Sequence, residues 1–249
     1  MRYFFEVSYK GTNYAGFQVQ KNANTIQAEV EKVLQTYFKT YINLTGSSRT
    51  DAGVHALQNY FHGDTDKIIE PTVLYNLNAM LPADIVLKRI ISVPQEAHCR
   101  FDAIAREYHY YIYNSKDPFM LDRAYFYPYF LNLDSLNSSA TVVLSNTNFE
   151  AFSKKNAQVK THICNIVKSE WAQESGCLVY KVRANRFLRG MVRALVATML
   201  RVGRDKLSIE HFSSIFTTTD SLLVDFASPP QGLFLASVTY PQELFKAHL

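Results

Sequence analysis

Arg49-Thr50-Asp51-Ala52-Gly53-Val54-His55-Ala56 places a guanidinium, a carboxylate and a turn glycine within a few residues. Residue chemistry alone leaves two readings open. Asp-Ala-Gly is an ordinary turn, with Asp51 capping its own backbone and Gly53 supplying a positive φ. The same residues also suit a reagent: a lone carboxylate beside Arg49, among side chains small enough to let backbone approach a ligand. Working outward, Ile42–Leu44 reads as a strand that delivers the chain to this loop, and residues 58–64 read as a strand that leaves it. The loop is therefore expected between strands, at the edge of a sheet.

The N-terminus starts that sheet. Tyr3, Phe5, Val7 and Tyr9 alternate with Arg2, Phe4, Glu6 and Ser8, a period-2 pattern whose second face is also partly covered. Asn24 and Gln27 form a candidate capping box ahead of a helical stripe of Ile26, Val30, Val33, Leu34, Tyr37 and Phe38. A helix led by Pro71 is expected through Leu81, followed by strands over 85–93 and 107–113. Residues 115–146 read as loop and then helix, with Leu133, Leu136, Val143 and Leu144 buried. Strands over 162–171 and 178–184 are joined by a turn at Glu174-Ser175-Gly176. Met191, Val192, Leu195, Val196, Met199 and Leu200 then form a helical stripe stopped by Gly203. A short helix over 209–216 and a strand over 233–240 close the pattern. Sheet and helix thus alternate once in each half, with a break at 103–106, so we expect two α/β units, 1–104 and 105–249.

Composition bounds the function. At 249 residues and 47% hydrophobic content the chain can build a core without staples. Cys99, Cys164 and Cys177 are odd in number and form no Cys-x-x-Cys pair, which fits reduced thiols in the cytoplasm. Cys99 follows His98, but neighbours on a strand seldom face each other, so it reads as a core thiol. No apolar run reaches membrane-spanning length. The net charge is only +4, yet residues 183–206 carry seven basic side chains against Asp205 alone, leaving −2 for the remainder. A concentrated basic element on a balanced protein is the footprint expected for a phosphate backbone, although many basic runs are simply solvated.

The Asp51 segment resembles the signature of the TruA-type tRNA pseudouridine synthases, and five further stretches resemble that family in the same order. They are residues 5–18 (FEVSYKGTNYAGFQ), 78–85 (NAMLPADI), 98–103 (HCRFDA), 106–110 (REYHY) and 185–193 (NRFLRGMVR). The chain departs from the family in two places. Ser48 stands where it usually has Gly, and Gln58-Asn59 stands where it has Gly-Gln; side chains added at glycine positions can crowd RNA or tilt a strand.

The resemblance implies an α+β pseudouridine synthase fold, with two α/β subdomains around a mainly antiparallel sheet and an active-site cleft. It implies a cofactor-independent and metal-free isomerase that acts as a homodimer on uridines of the tRNA anticodon stem-loop. Asp51 would be the nucleophile, Arg193 its cationic partner and Tyr108 the ring that stacks on the target base and removes its C5 proton. Arg49 would fill the space left by the extruded base, Leu233 would line the pocket, and Arg186, Arg189 and Arg201 or Arg204 would hold the backbone. Residue chemistry alone keeps blander roles open: Arg193 on a polar helix face, Leu233 as an ordinary strand-start leucine, Tyr110 as core. His55, four residues beyond Asp51, raises a metal or hydrolase alternative without a third ligand at suitable spacing. An RNA-binding protein or folding helper on the same scaffold is the rival of a different class.

Overall fold

The computed structural model describes residues 1–70, 72–154, 160–219 and 221–245. It has a mixed α/β architecture made of two compact units, Met1–Ile104 with Phe234–Leu249, and Ala105–Leu233. The sequence reading kept residues 105–249 together, whereas residues 234 onward cluster with the first unit.

In the first unit, β1 (Arg2–Tyr9) lies between β3 (His55–Asp64) and β4 (Ile85–Val93), antiparallel to both, with Phe5 opposite Phe61 on one side and Ile90 on the other. A central strand covered on two faces explains why the apolar alternation of β1 is blurred: Phe4 and Phe5 are both fully buried. The short β2 (Thr45–Gly46) pairs antiparallel with β3, and β9 (Leu233–Thr239) joins β3 in parallel, His55 opposite Phe234. Helix α1 (Ile26–Phe38) buries Ile26, Val30, Val33 and Leu34. Its cap is Thr25, whose side chain accepts the Ala28 N–H at 3.3 Å, and not Asn24.

Gln27 and Glu31 of α1 also explain why residues 42–44 do not form the expected strand. Glu31 accepts the Leu44 N–H at 3.0 Å and Gln27 donates to the Leu44 carbonyl at 2.7 Å. Those backbone groups are spent on the helix, so the ladder starts only at Thr45. Helix α2 (Val73–Met80) is shorter than expected; its proposed leader, Pro71, lies outside the described residues.

In the second unit, β8 (Cys177–Ala184) is antiparallel to β5 (Ala105–Tyr113) and to β7 (Ile166–Glu174), and β6 (Tyr125–Phe126) runs parallel to β5. The β7–β8 turn needs two left-handed residues, Ser175 at φ 49° and Gly176 at φ 80°. Helix α3 (Leu133–Leu144), capped by Asn132, buries Leu136, Ser139, Ala140 and Val143. Leu133 and Leu144 fall off that i, i+3, i+4, i+7 stripe and are exposed, contrary to expectation. Helix α4 (Met191–Val202) is buried almost all round, and α5 (Ile209–Thr218) is capped by Ser208, whose side chain accepts the His211 N–H. No helix among the described residues is long and apolar enough to cross a membrane.

Candidate active site

The Asp51 loop belongs to the first unit, between β2 and β3. Its exposure alternates: Ser48 and Thr50 are buried, Arg49 is exposed and Asp51 is half-buried. Backbone holds it from the side of the Gly11–Phe17 segment. Phe17 N–H donates to the Thr50 carbonyl at 3.1 Å and Gly53 N–H to the Tyr14 carbonyl at 3.4 Å. Within the loop, Val54 N–H closes a turn on the Asp51 carbonyl at 3.1 Å, with Gly53 at φ 77°.

The turn reading of Asp-Ala-Gly is therefore realised, and Asp51 itself stays half-buried. Two glycines permit the approach. A Cβ on Gly11 would stand 2.0 Å from the Val54 carbonyl oxygen, and one on Gly16, at φ 109°, would stand 3.0 Å from that of Thr50.

His55 is fully enclosed. Its Nδ1 accepts the Gly11 N–H at 3.0 Å and its ring packs 4.5 Å from that of Phe234. This makes it a fastener between loop and sheet, with its Nδ1 lone pair engaged by backbone. Gln58, at a family glycine position, spans β1 and β9: it donates to Glu6 at 3.1 Å and accepts the Val238 N–H at 3.1 Å.

Tyr108, Arg193, Leu233, Arg186 and Arg189 lie in the second unit. Tyr108, on β5, is buried and meets Phe187 edge-on at 5.0 Å. Tyr110, two residues along the same face, is fully buried; its hydroxyl donates to the Pro229 carbonyl at 2.8 Å, and burial raises its pKa. This tyrosine is a packing element. Gly232 follows from it, because a Cβ there would stand 2.7 Å from the Tyr110 ring, and the next residue, Leu233, is buried.

Arg193 occupies the first turn of α4, half-buried, with Nε donating to the Ser228 carbonyl at 2.7 Å. No acidic residue lies in that turn. A guanidinium at the positive end of a helix is placed against the macrodipole, and together they favour an anion. Arg186 is half-buried and Arg189 exposed on the segment leading into α4, whose entry requires Gly190 at φ 75°. Arg201 donates to the Leu223 carbonyl at 2.8 Å. Arg204 stacks on Tyr129 at 3.8 Å.

His62, His98 and Cys99 are the described residues whose potential metal-binding atoms gather, all within 4.8 Å. His98 and Cys99 sit on a turn and not on a strand, so adjacent side chains converge where the sequence reading set them apart. The lone pairs needed for a metal are already engaged by backbone. His62 Nδ1 accepts the Cys99 N–H at 3.3 Å, and His98 Nδ1 accepts those of Arg100 and Phe101 at 3.1 and 3.4 Å. Cys99 donates to the Thr45 carbonyl at 3.1 Å. The cluster fastens β3 to the 97–102 turn. All three cysteines are buried thiols outside any disulfide, and burial pushes the Cys164 pKa up to about 11.

A family model described as tRNA pseudouridine synthase matches residues 7–102 and 146–241. The chain belongs to the tRNA pseudouridine synthase family. Membership makes it an RNA-modifying isomerase. It is 41% identical over 246 residues to a protein named tRNA pseudouridine synthase A from Parabacteroides distasonis, covering 98% of each chain. The protein of the same name from Bacteroides thetaiotaomicron is 40% identical, over 98% of this chain and 92% of the relative. One from Staphylococcus aureus is 34% identical, over 96% and 91%. The matched segments include the Asp51 loop, the 185–193 motif and Leu233, while residues 103–145, with Tyr108, fall between them.

Proposed function

We propose that this chain converts uridine to pseudouridine in the anticodon stem-loop of tRNA, working as a cytoplasmic homodimer with Asp51 as the nucleophile. The reaction breaks the bond between C1′ and N1, forms one between C1′ and C5 of the same base, and moves a proton off C5 while N1 takes one up. It involves no net oxidation, so substrate, a carboxylate and a proton acceptor suffice. The observation that carries the reading is the Asp51 loop: backbone bonds fix its main chain, the flanking Thr50 is buried, and the carboxylate-bearing residue stays only half-buried.

A carboxylate shielded from water stays ionised beside a cation. Arg193, at the positive end of α4, supports that role. Tyr108 is assigned to the target base, as stacking ring and C5 proton acceptor, and Leu233 to the pocket wall. The base must leave the helical stem, at a few kcal/mol. Arg49, exposed beside the nucleophile, is assigned to the vacated space, and Arg186 and Arg189 to phosphates.

Dimerisation is supported by strongly exposed apolar side chains of the second unit, Phe119 at 80%, Leu121 at 64% and Phe130 at 87% accessible. Pseudouridine mapping on tRNA transcripts incubated with the purified protein tests the reading. Pseudouridine just 3′ of the anticodon is expected. Tight tRNA binding with none formed would instead indicate a folding helper.

A further inference from the structure

Beneath the Asp51 loop lies a buried set of polar side chains to which the reaction scheme gives no part. Asn59, on β3, is fully buried, and its amide group donates to the Ser48 carbonyl at 2.9 Å and to the Tyr9 hydroxyl at 3.3 Å. Its own carbonyl accepts the Tyr60 N–H at 2.9 Å, which fixes which end of the amide faces the loop. The Tyr9 hydroxyl is 2.7 Å from Thr50 Oγ1. Asn59, the Tyr9 hydroxyl and the Thr50 hydroxyl are thus linked in one hydrogen-bonded chain, in which either hydroxyl can donate to the other. The Tyr9 ring itself is stacked 5.7 Å from Phe17, whose N–H holds the Thr50 carbonyl.

We infer that Asn59, Tyr9 and Thr50 are the positioning residues of the nucleophile. Along residues 48–51 exposure alternates, with Ser48 and Thr50 buried and Arg49 and Asp51 not. Anchoring Ser48 through its carbonyl and Thr50 through its hydroxyl turns residues 49 and 51 to the other side, which is where the arginine and the carboxylate must act. Asn59 holds Ser48 directly and Thr50 through Tyr9, and so sets the two functional residues together. This also gives a use to a departure from the family, since Asn59 stands in the place of a longer glutamine.

The inference rests on the reading of Asp51 as nucleophile, and the experiment separates the two. Thr50→Val removes the Tyr9–Thr50 hydrogen bond, Tyr9→Phe removes it together with the bond from Asn59, both keep shape, and Thr50→Ser keeps the hydroxyl. Single-turnover rate, tRNA Kd and unfolding midpoint are measured for each, together with Asn59→Asp, which replaces the donor at the node, and Asp51→Asn. The expected result is a rate lowered about tenfold to a hundredfold in Tyr9→Phe and Thr50→Val, with tRNA Kd unchanged and Thr50→Ser near wild type. The double variant should be no slower than Tyr9→Phe, which already lacks the bond that Thr50→Val removes.

Wild-type rates in both Tyr9→Phe and Thr50→Val overturn the inference, as does a rate loss matched by equal loss of tRNA affinity. If Asp51→Asn turns over normally, the nucleophile reading itself fails. An inactive Asp51→Asn beside unimpaired Tyr9→Phe and Thr50→Val removes only the positioning set.

Discussion

Residue 51 gains its character from neighbours that are mostly backbone: the Phe17 amide on the Thr50 carbonyl, the Tyr14 carbonyl under Gly53, and its own carbonyl closing the turn with Val54. These bonds hold the main chain of the loop, and the glycines at positions 11 and 16 let that backbone come close. Across the same sheet, His62 is a test of burial. Burial, with smaller contributions from His98 and Arg2, lowers its pKa from 6.5 to about 4. Between those values the unfolded chain binds a proton that the folded chain does not, so stability is complete above pH 6.5 and falls as pH drops toward 4. The slope approaches about 1.4 kcal/mol per pH unit, with a total of about 3 kcal/mol. Urea unfolding of wild type and His62→Asn at pH 7 and pH 5 checks this: the variant should lose less stability on acidification. The identity of Asp51 as a candidate was legible in the sequence, because the signature is local. The part played by Asn59 was not, since it depends on contacts with Ser48 and Tyr9 that exist only once β1, β3 and the loop are assembled.

At the scale of elements, period carried most of the reading. The strand over 85–93 and helix α4 follow directly from apolar spacing, and the β7–β8 turn from Ser175-Gly176. The misreadings have side-chain causes. Residues 42–44 have strand composition but give backbone groups to Gln27 and Glu31, and the α1 cap moved one residue because Thr25 reaches Ala28. The basic segment around α4 makes a separate prediction. Arg186 and Arg189 precede the helix and are partly or fully exposed, so replacing both with Ala should weaken tRNA binding and flatten its salt dependence. Each lost phosphate contact removes about 0.7 to 0.9 from the log–log slope. Fluorescence anisotropy across a salt series reads it, and an unchanged slope would move the RNA footprint elsewhere.

At the scale of the whole molecule, the chain makes two compact units and its last strand returns to the first of them. The parallel pairing of β9 with β3 begins at Phe234 opposite His55, a join between residues far apart in sequence that no local pattern announces. The exposed apolar side chains of the second unit predict self-association: Phe130→Asp should shift the protein toward monomer in sedimentation velocity, with the fold retained by circular dichroism. An unchanged sedimentation coefficient would take Phe130 out of the subunit contact. The central claim, that the carboxylate of Asp51 performs the isomerisation, is tested most directly by tritium release from tRNA labelled at uridine C5. The account predicts steady release by the wild-type protein and none above background from Asp51→Asn, with tRNA binding intact in both. Equal release from the two proteins would contradict it.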